Sequence, residues 1–125
     1  MFDHVVLSVS DYAASKAFFL KALAPLGVAS ISEGPLGIEL CHPKGIASLC
    51  IRRTPAQATV PPLHLAFAAE TRQQVEAFHR AALAAGGTDH GAPGVRPQYS
   101  AHYYAAFVLA PDGHNVEAVC HHPEA

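Results

Sequence analysis

The stretch HVVLSVSDYAASKAFFLKALAPLGV, residues 4–28, reads as a strand, a capped turn and a helix in immediate succession. Apolar side chains alternate up to Val9 at the period of two that gives a strand one buried face. Positions 15, 18, 19, 22 and 23 then form one face of a helix, with Asp11 as its cap and Pro25 and Gly27 closing it. Moved forward by 60 positions, the stretch lies without a gap on HLAFAAETRQQVEAFHRAALAAGGT, residues 64–88. His4 then falls on His64, Phe18 on Phe78, Leu23 on Leu83 and Gly27 on Gly87. Alanine matches mean little in an Ala-rich chain, but these four fall where a duplicated structure demands them. In the second copy Thr71 is the expected cap, Val75, Phe78, Ala82 and Leu83 the inward face, and Gly86 and Gly87 the stop.

Strand patterns return after each helix, at 28–31, 37–41 and 46–53 in the first copy and at 103–109 and 115–120 in the second. The segment APGVRPQYSAHYY (92–104) reads as a loop from its Gly and Pro content, and APDGHN (110–115) as a hairpin turn. Proline in TPAQATVPP (54–62) forbids a central strand there and marks the join between copies. The predicted class is α+β: a single domain over residues 1–125 made of two βαβββ modules, the first about 1–54, a linker about 55–62, the second about 63–122.

An apolar content of 50% in 125 residues supplies one core, and a formal charge of -2 supplies no basic field for nucleic acid. No apolar run is long enough to span a bilayer, and no basic-then-apolar leader opens the chain. A soluble, cytoplasmic protein without a membrane partner is expected. Cys41, Cys50 and Cys120 form no CxxC pair, which argues against disulfides or a thiolate zinc site.

Strand alternation sorts the faces. His4 shares its side with Val6 and Ser8, and His64 with Ala66 and Ala68, while Val5, Leu7, Val9, Leu65 and Phe67 point the other way. The small residues beside the histidines leave room, so a cavity is expected on that side. In the last strand Glu117 lies among apolar neighbours, where a buried carboxylate needs a positive partner. Two neutral imidazoles and one carboxylate form a ligand set for Fe(II), Mn(II), Ni(II) or Zn(II) that leaves positions open for water or substrate. The plainer alternative is that His4 caps a strand edge, His64 satisfies a backbone carbonyl and Glu117 pairs with an arginine.

The phrases HVVLSVSDYAASKAFFLKALAPLG, LHLAFAA followed by VEAFHRAALAAGG, and YYAAFVLAPDGHNVEAV together resemble the vicinal oxygen chelate superfamily, the glyoxalase, bleomycin-resistance and extradiol dioxygenase group. The resemblance covers nearly the whole chain. It implies paired modules curved into a half-open barrel around a divalent metal, with His4, His64 and Glu117 as ligands, and a homodimer, in some members with each metal site built from two chains. In glyoxalase I a fourth ligand comes from the last strand of the first module, where this chain reads IASLCIRR without Asp, Glu or His. Cys50 is the single conceivable donor in that strand, and Glu39 lies one strand earlier. A three-ligand set is similar to that of the extradiol dioxygenases and fosfomycin-modifying transferases.

The activity so implied is metal-dependent lyase, isomerase or dioxygenase chemistry on a small molecule with adjacent oxygens. The other class within the group is a metal-free binding or sequestering protein of the bleomycin-resistance type. For proton transfer the candidates are His102 and Tyr104, and for substrate binding Arg96, Tyr99 and Tyr103, all in or beside the loop before the penultimate strand. His42, His90, His114 and the pair at 121 and 122 are expected to be structural or exposed, and Arg52 with Arg53 a solvated strand end.

Overall fold

The computed structural model describes residues 1–55 and 59–123. In the first module, strand β1 (His4–Val9) leads into helix α1 (Tyr12–Leu23), whose first turn is held by the Asp11 side chain accepting from the Ala14 amide at 3.1 Å. A short 3-10 turn, Ala24–Leu26, ends at Gly27, which takes φ of 85°, a left-handed conformation that glycine adopts without a steric penalty. In the second module, β5 (His64–Ala68) leads into α2 (Arg72–Ala84), capped by Thr71 accepting from the Gln74 amide at 3.1 Å. The buried face of α1 is Ser15, Phe18, Phe19, Ala22 and Leu23, all five expected positions. On α2 the stripe is narrower: Val75, Phe78 and Ala82 are buried, and Leu83 remains 37% exposed.

Three further strands complete each module. In the first they are β2 (Ala29–Glu33), β3 (Gly37–Cys41) and β4 (Ser48–Arg53), giving a sheet ordered β1-β4-β3-β2 with β1 parallel to β4. In the second they are β6 (Thr88–Val95), β7 (Tyr104–Leu109) and β8 (Asn115–Cys120), ordered β5-β8-β7-β6 with β5 parallel to β8. The parallel pair needs a crossover, and the helix of each module supplies it. The α+β arrangement of two βαβββ modules is therefore as expected.

One strand departs from expectation. β6 extends to Val95 through residues assigned to a loop, and Pro93 is tolerated because β6 is an edge strand whose register slips between Asp89 and Gly91 and again between Gly91 and Gly94. The linker runs between Arg53 and His64, and its residues 56–58 lie outside the described part of the chain.

The modules join through their helices. α1 packs on α2, and α2 on β7, around the fully buried rings of Phe18 and Phe78. At Gly87 a Cβ would stand 2.7 Å from a Phe18 ring carbon and 2.4 Å from a Val108 methyl, so only glycine permits that approach. The β7–β8 turn clasps the first module from the other side. Asp112 accepts from the amide of Ser10 at 2.9 Å and from its hydroxyl. The buried His114 ring accepts the Leu63 amide at Nδ1 (2.9 Å) and donates from Nε2 to the Ser8 carbonyl (3.1 Å). Among the described residues no strand pairs across the two sheets, so β1 and β5 each keep one unpaired edge.

Candidate functional site

Alternation along the strands gives each sheet a helix-facing side and an open side. Leu7, Val9, Leu49, Ile51, Val116, Ala118 and Cys120 point to the helices and belong to the core. The open side of the second sheet carries His64 on β5, Glu117 on β8 and, directly across the β7–β8 pair from Glu117, Phe107. Glu117 is 1% exposed, and its carboxylate is satisfied at both oxygens. His64 Nε2 stands 2.7 Å from Oε1, and the Tyr103 hydroxyl donates to Oε2. The positive or proton-donating partner that burial demands is thus an imidazole and a phenol, and not an arginine. The site pushes the Tyr103 hydroxyl up to about 12, first through burial and then through its hydrogen bond to Glu117 and the nearby charge. The phenol accordingly stays protonated and acts as a donor at neutral pH.

His4 lies elsewhere. Its ring is hydrogen-bonded through Nδ1 to Asp3 at 2.7 Å, its side chain is 54% exposed, and no group of three metal-binding side chains converges among the described residues. The chain therefore brings His64 and Glu117 together and leaves His4 on the separate edge of the first sheet. An imidazole nitrogen and a carboxylate oxygen are donor types that a divalent ion takes, and here they are hydrogen-bonded to each other. Among the described residues no third such side chain joins these two.

The loop candidates divide. Tyr103, immediately before β7, reaches Glu117, and Tyr99 packs against it with rings tilted by 58° and centroids 4.9 Å apart. Arg96 lies over the ring of Phe107, 5.4 Å from its centroid, on the same open side. Tyr104 points the other way: its ring packs toward the core beneath α2, with Arg72 4.8 Å above it, and its hydroxyl donates to Glu76. One step along a strand reverses the face, which separates Tyr104 from Glu117. His102 is exposed in the turn before β7. Phe107, which pairs with Glu117 across β7 and β8 and whose ring lies 6.1 Å from that of His64, was missed in the sequence, although counting ten residues back from Glu117 across the hairpin would have found it.

In the first sheet, Glu39 on β3 faces Cys50 on β4, and its carboxylate accepts from the hydroxyls of Ser48 at 2.6 Å and Ser32 at 3.3 Å. Arg53, expected to be solvated, stacks on Tyr12 at 3.8 Å. His114 is structural, as expected.

The room foreseen beside the histidines is found only in part: Ala66 and Ala68, on the His64 side of β5, line a cavity, but the histidines do not. This cavity, of about 710 Å³, opens between the modules, with Val5, Leu40, Leu49, Leu65 and Phe67 in its wall and none of His4, His64 or Glu117. The helix-facing residues of the two edge strands meet there, whereas His4 and His64 are exposed on the open sides.

A family model described as the Glyoxalase/Bleomycin resistance protein/Dioxygenase superfamily matches residues 1–118. Among solved structures, a glyoxalase/bleomycin resistance protein from Albidiferax ferrireducens superposes with a TM-score of 0.84 at 29% identity, covering 96% of this chain and 98% of that one. A family enzyme from Burkholderia phytofirmans gives 0.75 at 21% identity over 96% and 98% of the two chains. A glyoxalase-related enzyme from Fulvimarina pelagi gives 0.73 at 20% identity over 96% and 87%. The last two likenesses speak for the fold alone. No curated protein matches the sequence significantly. No helix among the described residues is long and apolar enough to cross a membrane.

Proposed function

We propose, from the premise that this chain belongs to the glyoxalase/bleomycin resistance protein/dioxygenase superfamily, that it is a metal-dependent enzyme acting on a small molecule with neighbouring oxygens. His64 and Glu117 of one copy, with His4 of a second copy, are the metal ligands in this reading. The observation that carries it is the 2.7 Å approach of the His64 Nε2 to a carboxylate that is 1% exposed. Taking a carboxylate out of water costs on the order of several kcal/mol even where it has partners, so a chain keeps one on an open sheet face for a reason. A divalent ion (Fe, Mn, Ni or Zn) held there with open positions supplies Lewis-acid polarisation of two adjacent substrate oxygens, the common basis of lyase, isomerase and dioxygenase chemistry.

The rest falls to the chain's own side chains. Tyr103 fixes the second oxygen of Glu117 and so orients the carboxylate, as outer hydrogen bonds do for metal ligands. Phe107 gives the site an apolar floor beside His64, 6.1 Å away between ring centroids. His102, exposed in the turn before β7, is the proton carrier available from solvent.

The sharing of the site between copies rests on the edges. β1 and β5 both have unpaired ladders, and Met1, Phe2, Val6 and Leu63 are exposed along or beside them. Such an edge invites pairing with another chain. A homodimer that sets β1 of one copy beside β5 of the other would place His4 next to His64.

The test is metal analysis of protein purified without chelator, for the natural chain and for Glu117→Ala. Close to one ion per chain is expected in the first and a loss of at least tenfold in the second; equal and negligible contents overturn the reading. One observation favours a second reading, a metal-free binding protein: both Glu117 oxygens already have protein partners. In that case affinity for small ligands survives exhaustive chelation.

A further inference from the structure

The geometry points to an anion-binding pole at Arg96, and hence to an organic acid as the ligand class of this face, with the acid group at Arg96 and its opposite end at His64 and Glu117. The inference deepens the proposed function and rests on it for the metal end only.

Arg96 is not arranged as a solvated side chain. Its two terminal nitrogens donate to backbone carbonyls of β6, the strand it follows, Nη1 to Gly94 and Nη2 to Ala92, each at 2.8 Å. The plane of the guanidinium is thereby drawn back across the bulged part of β6 and over the Phe107 ring. Two glycines clear its bed. At Gly94 a Cβ would stand 3.0 Å from Nη1, and at Gly91 it would stand 2.8 Å from the Phe107 ring and 3.3 Å from Nη2.

A guanidinium has five N–H donors, and carbonyls take two of these. The carbonyls are uncharged, and among the described residues no carboxylate forms an ion pair with Arg96. The side chain is half-buried, so its charge is neither neutralised nor fully given to water. A planar, immobilised cation with donors to spare matches a carboxylate or a phosphonate, which accept bidentately.

The spacing sets the shape of the ligand. Phe107 lies between the poles, its ring centroid 5.4 Å from the Arg96 carbon and 6.1 Å from the His64 ring. A molecule reaching both must carry its acid group at least about one aromatic ring away from its adjacent oxygens, with a flat or apolar body to lie over Phe107.

Calorimetric titration under nitrogen with 3,4-dihydroxybenzoate and with catechol tests this. The two share adjacent oxygens and a ring, and only the first carries a carboxylate. Each is titrated into the full chain, its Arg96→Gln variant and its Arg96→Lys variant, in Mn(II)-supplemented and in metal-stripped buffer. The expected result is a preference for the acid of about tenfold in the natural chain, abolished in Arg96→Gln with Mn(II) content unchanged, and partly kept in Arg96→Lys. Equal affinity for the two probes, binding of neither in either buffer, or a preference that Arg96→Gln retains would each overturn it. A charge preference that persists in metal-stripped buffer supports the pole even where Mn(II) adds nothing. Only the metal reading fails in that case.

Discussion

The two modules are built alike on one side and unlike on the other. Facing the helices, Val5 and Leu7 with Phe18 in the first module answer to Leu65 and Phe67 with Phe78 in the second. On the open side the copies part. Strand pairing sets Cys50 beside Val6 and Glu117 beside Ala66, so Cys50 occupies in the first module the place that Glu117 holds in the second. The first module has its carboxylate one strand over, at Glu39, held by two serine hydroxyls, where the second has Phe107. His4 and His64 remain equivalent, yet only His64 has a buried acid at hand. Packing thus fixes one face of each sheet, while the other was free to change. The site is the product of that divergence.

The likeness of the inner faces breaks most visibly through the core. Truncating Phe18 or Phe78, both fully buried, to alanine is expected to cost about 3–5 kcal/mol in either case, read by urea denaturation. A cost below about 1 kcal/mol for one ring only would show that the modules do not share a core. The unlikeness of the outer faces is sharpened by mixing. His4→Ala and Glu117→Ala each lose the metal alone, but exchanged dimers of the two contain one site with both defects and one with neither. Roughly a quarter of the natural metal content should return on unfolding and refolding the mixture together. No recovery would place all ligands in one chain.

The smallest effect concerns Tyr103. Titrated by absorbance of the phenolate and assigned by difference from Tyr103→Phe, the Tyr103 hydroxyl should ionise late, near 12. Its hydroxyl is raised above the ordinary value near 10, so it stabilises the fold fully below pH of about 10 and loses that contribution as pH rises through about 12. Glu117→Gln should bring the late transition down without abolishing the shift, because burial is the larger cause. An unchanged late transition would deny the contact.

What the sequence made legible follows from periodicity. The α1 face, both caps and the Asp112–Gly113 turn are local features, set by residues within a few positions of one another. β6 was hidden because glycine and proline, the marks of a loop, are also tolerated on a bulged edge strand. Leu83 fits the helical stripe but lies outside the part of α2 that is covered. Of the site, the His64–Glu117 pairing is implicit in strand parity, since parallel neighbours on one face come together. Where His4 would lie relative to that pair depends on how the two sheets are set, which no spacing along the chain specifies. Tyr104 was misplaced by a single step of alternation, the smallest error that moves a side chain through a sheet.

His114 has a further consequence. One ring nitrogen must be bare to receive the Leu63 amide and the other must carry hydrogen to meet the Ser8 carbonyl. The ring therefore has one serviceable tautomer, and an imidazolium would turn an acceptor into a second donor aimed at an N–H. Ser8 lies in the strand begun by His4, and Leu63 immediately precedes His64. The alignment of the two halves is thus pinned by where a single hydrogen sits.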